Sequence, residues 1–202
     1  TVTIPHKTTI ANLCDHLEED AEFTQSVNWI KFDEDRKLIG NNFDGQGFVA
    51  GFLKQNFFIE NKKICIFGAG GAAVSIACSL AKQKIKSLKI INRNIEKANQ
   101  LRKKVEIIDR DLLVEVDRYK DNLMLNDCDI VINATSLGLH QNDKLLFDVS
   151  KTSPKAVIAD IIMQPEETKL LKQAKNLSRS VHYGKYMIES QIDLAGNYLN
   201  LW

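Results

Sequence analysis

Lys63-Ile64-Cys65-Ile66-Phe67-Gly68-Ala69-Gly70-Gly71-Ala72-Ala73 is the stretch whose reading decides the fold. Ile64 to Phe67 is a short apolar run of strand type, and Ala72 to Ala81 reads as a helix. The turn between them satisfies G-x-G-x-x-[G/A]. Gly68 permits a tight turn, Gly70 lets a phosphate approach the backbone, and Ala73 is small enough for close helix–strand packing. The amides at the helix N-terminus carry partial positive charge, so Gly68, Ala69, Gly70, Gly71 and Ala72 are predicted to hold a pyrophosphate. A glycine-rich turn alone is a weak signal. A strand before it and a helix after it strengthen it considerably.

Outward from this turn, apolar runs alternate with helical periods. Leu88 to Ile91, Val105 to Ile108, Ile130 to Ile132 and Val157 to Ile161 are predicted strands; Ile95 to Lys103 and Glu167 to Lys175 are predicted helices. The expected fold class is α/β, a doubly wound Rossmann-like parallel sheet whose ligands bind beyond the carboxyl ends of the strands. The texture before Lys62 differs. Pro5 to Leu17 reads as a helix with Pro5 in its first turn. Val27 to Phe32 and Leu38 to Ile39 flank the polar hairpin turn Asp33 to Lys37, and Phe48 to Gln55 reads as a connecting helix. Tyr186 to Leu201 is helical, with Ile188, Ile192, Ala195 and Leu199 at spacings of three or four.

The end of the second strand discriminates the cofactor. An NAD site places Asp or Glu there to accept from the ribose 2′-hydroxyl. This chain has Asn92-Arg93-Asn94, with Lys97 a turn later. The guanidinium of Arg93 can pair with a 2′-phosphate that a carboxylate would repel, so NADP is favoured over NAD.

Composition narrows the classes. Apolar residues make up 44% and charged residues 26% of 202, enough for a sizeable core. The net charge of +1 gives no bulk field for nucleic acid, and no apolar run approaches the roughly 20 residues needed to span a bilayer. Cys14, Cys65, Cys78 and Cys128 show no CxxC or metal-ligand spacing. Cys65 and Cys78 lie in apolar stretches and read as buried hydrophobes, which with the lack of an export signal favours the cytoplasm. His6, His16, His140 and His182 show no ligand spacing, so no metal site is expected. Tyr183 and Trp202 read as packing or interface groups. The missing initiator Met suggests that upstream sequence is absent.

Hydride transfer to or from an alcohol needs a group to exchange the hydroxyl proton and a partner to orient it. Lys7 and Asp44 are candidates, although no spacing rule joins them and such residues in loops ordinarily face solvent.

Several stretches together resemble the shikimate dehydrogenase family. Val2-Thr3-Ile4-Pro5-His6-Lys7 resembles its N-V-T-x-P-x-K motif, Ser26-Val27-Asn28 its A-V-N-T, and Asn42-Phe43-Asp44-Gly45 its N-T-D-G. Asn133 to Gly138 matches N-x-T-S-x-G, and Gly184 to Gln191 resembles G-x-G-M-L-x-x-Q. The resemblance spans essentially the whole chain in the expected order. It implies reversible reduction of 3-dehydroshikimate to shikimate by NADPH, a chorismate-pathway step in aromatic amino acid biosynthesis. Lys7 and Asp44 would be the catalytic pair, and Lys7 the proton donor. Thr3, Asn28 and Gln191 would bind the substrate hydroxyls, while Thr135, Ser136, Gly184 and Met187 would join the cofactor contacts. Residues 1–50 would form a partial substrate lobe and 51–185 an NADP-binding domain, with the helix over 186–202 returning to the lobe. The expected partner is a shikimate-like small molecule, not nucleic acid or a membrane, and the expected assembly is a monomer or homodimer.

Departures bear on substrate. The family's pattern begins further upstream, with a βαβ segment carrying an S-x-S carboxylate-binding motif. Thr1 stands where Asn is usual. Trp29 and Phe43 stand where the family has threonines, placing larger apolar groups near the expected substrate wall. Met163 replaces a tyrosine that touches substrate, and Tyr186 replaces a glycine near the nicotinamide. Quinate or an amino analogue as substrate, or a catalytically weak NADP-binding or regulatory protein, are the alternatives.

Overall fold

A computed structural model describes residues 1–3 and 5–201; Ile4 of the first motif and Trp202 lie outside the described residues. The larger sheet has six parallel strands: β4 (Lys63–Phe67), β5 (Ser87–Asn92), β6 (Leu113–Arg118), β7 (Ile130–Asn133), β8 (Val157–Asp160) and β9 (Ser180–His182). Their spatial order is β6-β5-β4-β7-β8-β9. Counted from β4, this is 3-2-1-4-5-6, the order of two mononucleotide-binding halves, with the direction of winding reversing between β4 and β7. The central strands are apolar on both faces because helices cover both. On one face Ile64, Ile66, Leu88, Ile90, Ile130 and Ile132 pack with α4 (Gly71–Ala81) and α5 (Ile95–Ile108). On the other, Cys65, Phe67, Ile91, Val131 and Ile158 pack with α6 (Lys169–Asn176).

The predicted strand Val105 to Ile108 is instead the last turn of α5, and the third strand is β6. Ala98, Leu101, Val105 and Ile108 recur at three and four and face the core, while Ile107 is 68% exposed; the period is helical. β6 is an edge strand with alternating burial, and its Glu115 and Asp117 hid it in a sequence scanned for apolar runs.

The smaller sheet has the order β1-β3-β2, with β1 (His16–Leu17) parallel and β2 (Trp29–Phe32) antiparallel to β3 (Leu38–Asn41). The helix expected over Pro5 to Leu17 shortens to α1 (Lys7–Ala11). Pairing with β3 draws the chain out of it, since Asp15 N donates to Leu38 O and Glu18 N to Gly40 O. A short helix, α2 (Glu19–Thr24), follows.

α3 (Asp44–Lys54) begins four residues earlier than expected, and packs against both α4 and α7 (Gly184–Tyr198). Glycine makes this possible. A Cβ at Gly45 would lie 2.1 Å from Ser75 O on α4, and one at Gly51 would lie 2.5 Å from Tyr186 O on α7. Among the described residues, no helix is long and apolar enough to cross a membrane.

Candidate active site

Asp44 is the first residue of α3 and is 1% exposed. Its Oδ2 accepts from Lys7 Nζ at 2.5 Å, across a separation of 37 residues. Its Oδ1 accepts from Asn28 Nδ2 at 2.9 Å and from Gln191 Nε2 at 3.2 Å, and Asn28 Nδ2 also reaches Gln191 Oε1 at 3.1 Å. Four residues from α1, the loop before β2, α3 and α7 thus meet at one carboxylate. A buried carboxylate this well supplied with donors keeps its orientation. Lys7 is 16% exposed, leaving its ammonium two donor positions beyond the Asp44 bond.

Local backbone fixes these groups. Val27 N donates to Lys7 O, and Asn28 N to Asn41 O, registering both chain segments on the small sheet. Asn28 Oδ1 accepts from Phe43 N at 2.9 Å, orienting the amide so that its Nδ2 points to Asp44. Asn42, two residues before Asp44, supports the turn. Its Oδ1 accepts from Asp44 N at 3.0 Å and from Ser75 Oγ at 3.2 Å, and Ser75 Oγ accepts from Gly45 N at 2.9 Å. Asn42 and Ser75 therefore tie the Asp44 turn to α4, the helix that the glycine-rich loop opens. Thr3 is exposed, and its carbonyl accepts from His6 N.

The glycine-rich loop sits at the carboxyl end of β4, beside the loop that follows β7. Gly68 has φ +113°, which disfavours any side chain, and a Cβ there would lie 2.7 Å from Ala134 O. Gly70 differs. Its φ is −86° and its ψ −178°, an ordinary extended conformation, and a Cβ there would meet nothing within 4 Å. Neither strain nor packing within the protein calls for glycine at 70, so the open space in front of it fits a ligand. α4 has no side-chain N-cap and no acidic residue in its first turn, leaving its leading amides for an anion.

At the end of β5, Arg93 and Lys97 are exposed. Asn94 caps α5 by accepting from Lys97 N at 2.9 Å, and Asn92 Nδ2 donates to Asn94 O at 2.8 Å. Both asparagine side chains are thus engaged in shaping the turn that presents Arg93. Thr135 is likewise engaged: its hydroxyl donates to Asn133 Oδ1 at 2.8 Å and accepts from Leu137 N at 3.1 Å, while Ser136 is exposed. Gly184 presses on Ile161 and Ile162, where a Cβ would lie 2.5 Å from Ile162 O, and Met187 is buried in the core at 5% exposure.

The bulk expected at the substrate wall from Phe43, and near the nicotinamide from Tyr186, packs within the protein instead. Phe43 packs edge-on against Tyr198 of α7, with ring centroids 5.6 Å apart. Tyr186 packs edge-on against His182 at 5.4 Å. Trp29 is half-buried in β2, and Met163 is 43% exposed beyond β8.

Fold and site together define an oxidoreductase built on a Rossmann-type sheet. The chain belongs to the shikimate / quinate 5-dehydrogenase family, whose model matches residues 52–168. It is 36% identical over 191 residues to the shikimate dehydrogenase (NADP(+)) of Nitrosopumilus maritimus, covering 94% of this chain and 68% of that one. To the protein of the same name from Pelagibacter ubique it is 36% identical, covering 96% and 69%. A crystal structure of a shikimate dehydrogenase in complex with NADP+ superposes with a TM-score of 0.86 at 34% identity, covering 94% of this chain and 66% of that one. A ligand-free 5-ketofructose reductase of a Gluconobacter strain superposes with a TM-score of 0.83, also at 34% identity, covering 94% and 68%.

Proposed function

We propose that the chain catalyses NADP-dependent interconversion of 3-dehydroshikimate and shikimate, with Lys7 exchanging the hydroxyl proton. The observation that carries this reading is the Lys7–Asp44 contact at 2.5 Å, buttressed by Asn28 and Gln191 and tied through Ser75 to the helix behind the glycine-rich loop. Lys7 is a cation whose own donors can reach a carbonyl oxygen; Asp44, an ionised carboxylate, has no proton to give. In the reducing direction the ammonium donates its proton to the carbonyl oxygen, and the amine left behind regains one from solvent. Asp44 holds Nζ in line through its Oδ2. Asn28 and Gln191 fix that carboxylate and offer amide groups to substrate hydroxyls, with Thr3 at the exposed rim.

Bound NADPH would supply the hydride. Gly68 to Ala72 would hold its pyrophosphate on the leading amides of α4, and Arg93 with Lys97 would take the 2′-phosphate. Thr135 and Ser136, beyond β7, and Gly184 and Met187 would wall the nicotinamide half. We take residues 1–50, with the chain from 186 onward, as the substrate lobe and 51–185 as the dinucleotide domain, a division that falls inside α3 and near the start of α7. The reading carries a cytoplasmic setting, and the assembly is a monomer or a homodimer.

A second reading keeps the chemistry and changes the substrate. It is favoured by Met163 where the family has a tyrosine, and by likeness to a reductase named for 5-ketofructose. Initial rates of NADP+ reduction with shikimate, quinate and 5-ketofructose reduction with NADPH separate the two. Replacing Lys7→Ala is expected to lower kcat by about a thousandfold or more while NADP+ affinity holds, the loss typical of a positioned acid–base group. A wild-type chain that binds NADP+ but turns over no cyclic hydroxy acid would end the shikimate reading.

A further inference from the structure

A second buried carboxylate lies on the opposite face of the sheet from α4 and α5, and the reading above gives it no role. Asp160 ends β8, is fully buried, and stands in register with Asn133 at the end of β7. Its Oδ1 accepts from Asn133 Nδ2 at 3.1 Å and Ile162 N at 3.0 Å, and its Oδ2 from Thr168 Oγ1 at 2.8 Å. Each donor governs a different segment. Asn133 Nδ2 also donates to Leu137 O at 3.0 Å, and Asn133 Oδ1 accepts from the backbone and hydroxyl of Thr135. Ile162 lies under the turn, since a Cβ at Gly138 would meet its Cδ1 at 3.2 Å. Thr168 caps α6 by accepting from Leu171 N.

We propose that Asp160 is a positioning residue for the cofactor: through Asn133 it sets the Thr135–Gly138 turn that walls the nicotinamide half of the crevice. The inference rests on the dinucleotide reading above. The β5 side of the switch point, bearing Arg93, takes the adenylate half, so the turn after β7 faces the other half. Gly68 passes within van der Waals reach of Ala134 and Thr135, so a shift of the turn alters the crevice directly. Without the carboxylate, Asn133 loses one of the two acceptors that fix its amide plane, and the turn loses its reference to β8. Burial pushes the Asp160 carboxyl up to about 6, yet three donors still meet it, as expected of a group retained for its hydrogen bonds.

Calorimetric titration of the full chain with NADP+ and with adenosine 2′,5′-bisphosphate, which lacks the nicotinamide half, tests this. Asp160→Ala is expected to weaken NADP+ by about tenfold or more, the worth of one or two net hydrogen bonds, and to leave the bisphosphate within about twofold. Asp160→Asn keeps an acceptor oxygen for Asn133 and is expected to restore NADP+ binding to within about threefold of wild type. Thr168→Val removes only the bond toward α6, and should lower the melting temperature without weakening NADP+. The proposal is overturned if Asp160→Ala weakens both ligands equally or neither, if Asp160→Asn fails to rescue, or if Thr168→Val weakens NADP+ as much as Asp160→Ala. Wild-type protein that binds neither ligand would overturn the dinucleotide reading itself, and this inference with it.

Discussion

Replacing His182→Leu should reverse the sign of part of this protein's acid response. His182 ends β9 fully buried, with Phe48, Phe52 and Tyr186 around its ring at centroid distances of 5.2, 5.0 and 5.4 Å. Neither ring nitrogen makes a hydrogen bond of good geometry among the described residues, the Gly51 backbone being close enough only for a weak contact, and burial pushes the ring's pKa from 6.5 down to about 4. Between those values the unfolded chain binds the proton that the folded chain refuses, so stability falls as pH falls. Linkage puts the loss between about pH 7.5 and about pH 5 at about 2 kcal/mol. Asp160 works the other way. Its pKa rises from 3.8 to about 6, so the folded chain binds the extra proton and gains about 1.4 kcal/mol over the same interval. In the wild type the two nearly cancel. Leucine at 182 removes the titrating group and two unpaired nitrogens at similar volume, leaving the gain from Asp160 uncovered. Urea unfolding at the two pH values reads the difference: the change in unfolding free energy should differ between variant and wild type by about 2 kcal/mol. Asp160→Asn should shift it oppositely. If His182→Leu and wild type lose stability in parallel, His182 is not held neutral by the fold and the reasoning fails.

Gly70→Ala should leave the melting temperature unchanged, because a Cβ there meets nothing within 4 Å, yet weaken NADP+ by about tenfold or more where the phosphate must approach; an unaffected titration would remove the pyrophosphate from this loop. Arg93→Ala should weaken NADP+ far more than NAD+, by about 2 kcal/mol for a lost charge-assisted pair, and equal losses would contradict the 2′-phosphate assignment. Gly51→Ala places a methyl carbon 2.5 Å from Tyr186 O, so denaturant unfolding should show a loss of about 2 kcal/mol or more; a neutral result would mean that α3 and α7 separate freely.

Where apolar periodicity was strong, the sequence was enough: β4, β5, β7 and β8 fall within a residue or two of their runs, since buried parallel strands have few alternative readings. Charged or very short edge strands are not legible, whereas the edge strand β2 lies within its apolar run. β6 carries charges on its open face, and β1 and β9 are two and three residues long, held by neighbours that no local pattern reveals. The site divides similarly. The loop from Gly68 could be read locally, because strand, turn and helix are contiguous. Lys7 and Asp44 could be joined only through resemblance, since their contact depends on strand pairing that brings α1 beside Asn28. Asp160 and His182 carry no local signal: their importance lies in burial, and a single Asp or His in a sequence does not announce it.

The glycines of α3 set the separation between the Lys7–Asp44 pair and the glycine-rich loop. Three glycines in an eleven-residue helix cost about 1 kcal/mol each in helix propensity relative to alanine. What offsets this is contact at backbone distance. Gly45 abuts the Ser75 carbonyl one turn into α4, and Gly47 abuts the Met187 carbonyl of α7 beside the side chain of Gln191, the residue that shares Asp44 with Asn28. Side chains between these helices would leave the spacing to rotamers. Backbone against backbone has no such freedom, so Asp44, at the head of α3, is referenced on one side to the loop helix and on the other to Gln191. For the proton exchange proposed for Lys7, misplacement must stay well below an ångström, and a helix seated on glycine would meet that demand through its backbone alone.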